Sequence, residues 1–433
     1  MTRALIAAIM CGSVSLGVAG WGVTRARVDP MDRIAARYIE LADALVQQDE
    51  QSAGGDDSVI PRSSKTERAP ISLASIAADA RSAIEALDAL TGPDPYARRP
   101  WLEAQLAAVA TRAEQQTGVD VGLDDEFSRL YGITTHSAQD SRTRPSVAPA
   151  VLEAVRDRID ALLPGTGTVA ERLDAFESTI TVPAPRLPGV FEAALAECRI
   201  RTRSVVNLTA REHVTVRYVV GEPWSGFSAY QGDDTSVISV NTSYPLTVDR
   251  VLQLACHEGY PGHHVINVLR DRARRTRPEL AAVPLFSPEA FATERLASDA
   301  PARVFSDDER LAFERDVLFP LAGLPPASAP RHVEVARLID QLRPSVAAAL
   351  EPFLRHEQGF VETAWLLQRD ALMQHPQATL EFARAFRGIA LAYTGLAPAV
   401  GSPGGQWLQQ SGYPSEPVIM AGNGHHSSAS SFR

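Results

Sequence analysis

Residues 247–269 read TVDRVLQLACHEGYPGHHVINVL, and within them the octet His257-Glu258-Gly259-Tyr260-Pro261-Gly262-His263-His264 gathers metal ligands, a candidate base and a backbone breaker. Val248, Val251, Leu252 and Ala255 make an apolar stripe at helical spacing. Thr247 is the expected N-cap, and Asp249 lies in the first turn, where negative charge is favoured. Val265, Ile266 and Leu269 resume the spacing beyond the breaker, until Arg270 to Arg275 turn the end polar. Upstream, Ser236-Val237-Ile238-Ser239-Val240 alternates as a strand should. The stretch predicts a strand leading into a helix that carries a site, and a sheet edge there could take an extended peptide as an added strand.

The octet opens like the zinc-peptidase signature His-Glu-x-x-His, but Pro261 occupies the place of the second histidine. In an unbroken helix, at about 100° and about 1.5 Å per residue, His263 sits roughly 120° around from His257. His264 falls on the same face but about 10 Å further along, so neither shares an ion with His257. Zinc requires nitrogens at about 2.0–2.1 Å. The site therefore forms only if Pro261 and Gly262 bulge the helix and remove roughly two residues from its register. His263 then becomes the second ligand, while His264 stays a rival ligand or turns to a substrate or supporting contact. The plain alternative is a kinked core helix with buried histidines.

The rest of the chain is read as mainly α-helical. With 433 residues, 45% of them hydrophobic and 22% charged, it can bury a large core. Three- and four-residue apolar spacing predicts helices over residues 34–46, 73–90, 101–116, 148–163, 169–180, 190–200, 331–354 and 377–393. Residues 49–69 are polar and predict a flexible loop, 398–406 a linker, and 419–433 a disordered tail. A formal charge of −10 without a basic cluster argues against nucleic acid as a partner. His356-Glu357 has Phe360 where a second histidine would fall and is expected to be an ordinary helix position. Cys256 cannot face the same site as its neighbour His257 on a helix and is expected to be a small core residue.

Residues 1–27 stand apart. An apolar run from Ala4 to Val23 lies between Arg3 and Arg25 with Arg27, as in a signal peptide or N-terminal anchor. On that reading the protein is secreted or membrane-anchored through residues 4–23. If Met31 is the true start, it is cytoplasmic. After cleavage Cys198 and Cys256 would be the remaining cysteines, and the sequence does not decide whether they pair.

The His-Glu-x-x-Pro-Gly-His-His octet resembles the hallmark of the bacterial domain of unknown function 885 family. The chain is similar to that family over residues 31–418, through Arg37-Tyr38-Ile39-Glu40-Leu41, Asp125-Glu126-Phe127-Ser128-Arg129-Leu130-Tyr131-Gly132 and Leu163-Pro164-Gly165-Thr166-Gly167. Nearer the site, Glu222-Pro223-Trp224, Val240-Asn241-Thr242 and Ser287-Pro288 follow in the family's order. The resemblance implies a single, large helical, gluzincin-like metallopeptidase domain with a small β-sheet beside the metal-binding helix. It also implies a third ligand in a Glu-Gly-x-Ala segment, which here is Glu294-Arg295-Leu296-Ala297, with Glu289 as the competing carboxylate. Arg295 replaces the family's glycine and is expected either to crowd the metal or to clamp a substrate carboxylate.

The chemistry expected is that of one zinc per chain, held by His257, His263 and Glu294, with a fourth position for a water made acidic by the ion. Glu258 is the expected general base. Tyr393, in a segment resembling a late family motif, is the candidate oxyanion donor, with Tyr260 and Tyr230 as alternatives. The expectation is a zinc-dependent hydrolase, foremost a peptidase acting on short peptides. The alternatives are a hydrolase of other amides or esters, or a non-catalytic binding protein whose site Arg295 has disabled.

Overall fold

The computed structural model describes residues 29–49, 70–94, 96–132, 148–222, 224–394 and 405–414. The apolar run 4–23, residues 50–69, most of the 398–406 linker and the 419–433 tail lie outside the described residues. Helices α1 (Pro30–Val46), α2 (Leu73–Asp88), α3 (Arg98–Gln116), α4 (Leu123–Tyr131), α5 (Pro149–Leu162), α6 (Val169–Ile180) and α7 (Leu187–Arg203) come first. They precede a sheet of β1 (His213–Val219), β2 (Gly226–Gly232) and β3 (Thr235–Asn241). Then follow α8 (Val248–Glu258), α9 (His263–Ala273), α10 (Pro288–Ser298), α11 (Ala300–Val304), α12 (Asp307–Phe313) and α13 (Phe319–Ala322). Helices α14 (Ala329–Gln341), α15 (Arg343–Leu354), α16 (Phe360–Asp370), α17 (Pro376–Phe386) and α18 (Gln406–Gln410) complete a mainly α fold with one small sheet.

Local chemistry explains most of these boundaries. The Ser72 hydroxyl accepts from the Ser75 N–H to start α2, and Thr168 with Glu171 closes a reciprocal capping box on α6. The predicted single helix over 331–354 is two helices, because Pro344 lacks an N–H and begins a new first turn at Arg343. The predicted 377–393 helix stops at Phe386. Arg387 takes φ +42°, and the chain continues as a 3-10 segment over Arg387–Thr394. His356 is not on a helix: it turns the chain after α15 at φ +62°. Asp49, expected in a flexible loop, is buried and accepts from Arg112 Nε at 2.7 Å and Nη2 at 2.9 Å.

The sheet order is β1-β3-β2, with β1 parallel to β3 (Val216 opposite Ile238) and β2 antiparallel to it (Ser228 opposite Ile238). The predicted strand 236–240 is therefore the central one. Its hydrogen bonds are used on both sides, so a peptide adding to this sheet would have to meet β1 or β2. Strand β2 lies close against α8: a Cβ on Gly226 would stand 2.6 Å from Leu254 Cδ1.

Two hydrophobic cores meet near the octet. The larger runs through Leu41, Trp101, Phe191 and Ile238 to Val251, Leu252, Val265 and Trp407. The smaller gathers Phe127, Tyr131, Phe286, Phe291, Leu350 and Leu367. Helices α8 and α9 root in the first and α10, through Phe291, in the second, so side chains from both cores reach the seam between them.

Candidate metal centre

The predicted bulge is a complete break. Helix α8 ends at Glu258 and α9 starts at His263. Between them the Gly259 N–H donates to Ala255 O at 3.0 Å and the Gly262 N–H reaches back to Cys256 O at 3.1 Å. The Tyr260–Pro261 peptide is cis. Only glycine fits at 262, since a Cβ there would lie 1.8 Å from His257 O and 2.5 Å from Cys256 O. Thr247 does precede α8, yet its hydroxyl donates to Asp249 Oδ1 at 2.6 Å rather than capping a backbone N–H. Asp249 in turn lies 3.0 Å from His332 Nε2, which fastens the start of α8 to α14.

Cys256 is more than a core residue. It forms a disulfide with Cys198 of α7, Cα to Cα 5.6 Å, directly before His257. Helix α8 is thereby covalently tied to its packing neighbour α7.

The break brings His263 to His257, with ring centroids 4.8 Å apart and the rings edge-to-face. Glu294 arrives from α10, its Oε1 3.2 Å from His257 Nε2 and its Oε2 3.3 Å from His263 Nε2. Ligands at about 2.0–2.1 Å in a tetrahedron stand about 3.3 Å apart along each edge, so these separations suit a zinc-sized ion. Glu258 belongs to the same cluster: His257, Glu258 and His263 each offer an atom within 4.8 Å of the others. The nearest Glu258 oxygen is 3.9 Å from His257 Nε2, further than that of Glu294. By distance Glu294 is the better ligand and Glu258 stands one step outside.

Burial sets the protonation states. It lowers His257 to about 4, against the pull of Glu294, leaving a neutral imidazole free to ligate at neutral pH. It raises Glu258 to about 7, opposed by His263 and Arg250 and reinforced by Glu294.

His264 points away from this cluster. Fully buried, it shares a 2.7 Å hydrogen bond between Nδ1 and Ser236 Oγ of β3, and its Nε2 lies 3.4 Å from Glu212 Oε1. Tyr260 donates its hydroxyl to the same Glu212 oxygen and packs edge-on against the His264 ring at 4.9 Å. Burial would raise the Glu212 carboxyl, but His264, Tyr260 and Arg199 outweigh it and hold it at about 2. His264 and Tyr260 thus brace the break against the sheet. The Tyr260 hydroxyl faces Glu212, and the His264 ring nitrogens face Ser236 and Glu212. Glu212 carried no signal in the sequence, because a lone glutamate before a strand resembles any solvated one.

The remaining candidates resolve as follows. Glu289 is engaged elsewhere: fully buried, it accepts from Trp101 Nε1 at 3.0 Å, Trp407 Nε1 at 2.7 Å and the Gly405 N–H at 2.9 Å. Arg295 pairs with Asp299 one turn on. Tyr230 accepts from the Asp234 N–H at 3.1 Å. The backbone of Tyr393 lies in the 3-10 segment, and its side chain is outside the described residues. Asn241 donates to Glu222 O at 2.7 Å and Trp224 O at 2.9 Å, so two of the family-like segments form one turn beside the sheet.

Comparison with known proteins adds little. No family model matches the chain, and no curated protein does. Among solved structures, one described as "putative lipoprotein from Colwellia psychrerythraea" aligns at TM-score 0.44 and 17% identity, covering 77% of this chain and 60% of that one. The chain thus spans less than two thirds of that protein's length. Among the described residues no helix is long and apolar enough to cross a membrane.

Proposed function

We propose that the protein is a zinc-dependent hydrolase, foremost a peptidase of short peptides, of the kind its octet resembles. The observation that carries this reading is the convergence of His257, His263 and Glu294 at 3.2–3.3 Å, with Glu258 beside them. Two imidazoles and a carboxylate are a donor set zinc accepts, and one ion per chain would supply an acidified water and polarise the scissile carbonyl.

The chain's own residues supply the rest. Glu258, buried and close to neutral in charge preference, is suited to take a proton from the attacking water and return it to the leaving amine. The bracing of His264 and Tyr260 by Glu212 fixes the turn from which His263 projects, so the ligand needs little reordering. The pairing of Arg295 with Asp299 supports the catalytic reading over the disabled one. An extracytoplasmic location fits the Cys198–Cys256 disulfide, since such bonds persist in oxidising compartments.

The test is metal content by plasma mass spectrometry together with a peptide-library digest. About one zinc per chain, lost in His257→Ala and Glu294→Ala and kept in a hydrolysis-dead Glu258→Gln, is expected. A wild-type protein that takes up no zinc on reconstitution overturns the reading.

A further inference from the structure

Strand β1 is an edge of the sheet, and its backbone shows which way each group points. The His213 N–H donates to Asp234 O at 3.0 Å, and the Val219 carbonyl accepts from the Thr242 N–H at 2.9 Å. The register runs unbroken from His213 opposite Thr235 to Val219 opposite Asn241, so the odd-numbered residues spend their N–H and C=O groups on β3. Successive residues of a strand turn these groups to opposite edges. Those of Val214, Val216 and Tyr218 therefore face outward, and among the described residues no backbone partner meets them there.

This edge is unguarded. Sheet edges are ordinarily blunted by a proline, a bulge, a charge turned to the edge or a covering element. The other edge, β2, has a bulge between Tyr230 and Gly232 and lies against α8 at Leu254. β1 has no proline and no shift of register over its seven residues. Its arginine is turned inward, with Arg217 Nε donating to Ser239 Oγ of β3 at 2.6 Å. Val214, Val216 and Tyr218 pack on the larger core yet stay half-buried. Where the strand ends, Val220 and Tyr244 are 74% and 42% exposed. The two turns that carry them are joined by the Gly221 N–H, which donates to Ser243 Oγ at 2.8 Å.

We infer that β1 is a homodimer interface, pairing antiparallel with β1 of a second copy about a two-fold axis at Val216 and joining the two three-stranded sheets into one. The outward groups fix the register, because directly opposed residues of an antiparallel pair exchange both bonds. Val216 then faces Val216, and Val214 faces Tyr218 of the second copy, on the apolar side, where β-branched and aromatic pairs stabilise a sheet. On the exposed side Arg217 meets Thr215. An axis at Arg217 would oppose two arginines, and one at Thr215 would set His213 against Arg217. The strand is thus complementary to itself in one register, as a closed two-fold contact requires. Val220 of each copy comes to lie beside the start of the other's β1. The interface is on the sheet edge opposite β2 and α8, so it goes beyond the hydrolase reading and does not depend on it.

The test is sedimentation velocity of the full chain over roughly 1–100 µM, the range in which transient dimers form. A concentration-dependent shift from one chain mass to two is expected. Val216→Pro removes the N–H at the axis without costing a β1–β3 bond. Symmetry deletes that bond twice, so dimer dissociation should rise at least about tenfold. Thr215 is exposed. Thr215→Arg sets like charges opposite Arg217 twice and should weaken the dimer about twofold to thirtyfold, whereas Thr215→Glu should tighten it by a similar factor. Opposite signs at one exposed position do not arise from misfolding. A chain that stays monomeric to about 100 µM overturns the assignment and leaves the edge to a strand of another protein. A dimer that survives Val216→Pro, or one that Thr215→Arg and Thr215→Glu move in the same direction or not at all, also overturns it and places self-association elsewhere on the chain.

Discussion

Gly262→Ala tests how the break builds the site. The added Cβ would stand 1.8 Å from His257 O and 2.5 Å from Cys256 O, both backbone atoms that no rotamer change can move aside. Ordinary contact needs more than 3.0 Å, so the break must open by more than 1 Å at the carbonyl of His257. Overpacking of this kind costs up to about 3 kcal/mol or more. With an unfolding entropy of about 2.1 cal/mol/K per residue, a chain of 433 residues should lose roughly 3 °C in melting temperature. Function should suffer more than stability: a shift of about 1 Å exceeds the tolerance of a preorganised ligand set, and zinc affinity should fall at least about tenfold. The assays are differential scanning calorimetry of the apoprotein and competition for zinc against a fluorescent chelator. A variant melting within about 1 °C of the wild type and binding zinc as tightly would refute the claim that close approach at Gly262 shapes the site.

Three further outcomes follow from other contacts. Glu289→Ala strands the indole N–H groups of Trp101 and Trp407 and the Gly405 N–H, each buried; at about 1–3 kcal/mol per unsatisfied group, thermal unfolding should shift by several degrees, and an unchanged melting curve would contradict the latch. Reducing Cys198–Cys256, 58 residues apart, should cost about 4 kcal/mol on loop-entropy grounds, seen as a lower urea midpoint in dithiothreitol and absent in a Cys198→Ala, Cys256→Ala double variant. His332 is buried, which lowers its pKa, but Asp249 and Glu314 raise it above 6.5 overall. Its stabilising share is therefore complete below pH 6.5 and lost as pH rises through the folded value. Asp249 is held below 3.8, so its share is present above that pH and lost on acidification. The melting-temperature gap between wild type and His332→Gln should accordingly narrow from pH 6 to pH 8.5, and a gap that widens would show the sign to be wrong.

The helical body is legible in the sequence wherever apolar spacing and a cap agree. The Val169–Ile180 helix begins at a Thr168–Glu171 capping box, and its predicted limits are the observed ones. Errors fall where a local breaker competes with a sustained period: Pro344 splits one predicted helix, and Arg387 with Gly388 stops another. Strand β1 alternates Val214, Val216 and Tyr218 with His213, Thr215 and Arg217 and is legible by period; strand β2 carries no such signal. Gly226-Phe227-Ser228-Ala229-Tyr230-Gln231-Gly232 is neither alternating nor apolar, and it becomes a strand because β3 offers it hydrogen bonds and α8 a surface.

The site divides along the same line between what is local and what is not. His257, Glu258 and His263 are adjacent in sequence, and elementary helix geometry already demands that Pro261 and Gly262 undo the register. Glu289 and Glu294 are different, for they share one helix and one residue type. Five positions on a helix turn about 140°, so only one of them can face the cluster, but nothing in the helix itself says which. The choice is made by partners distant in sequence: Trp101 and Trp407 claim Glu289, 188 and 118 residues away, and leave the opposite face of α10 to the histidines. The same helix thus anchors the segment Gly405–Pro414 on one side and offers Glu294 on the other. Docking of the Gly405–Pro414 segment and placement of Glu294 become one rigid-body event, which ties the position of Glu294 to residues that lie on neither α8 nor α9.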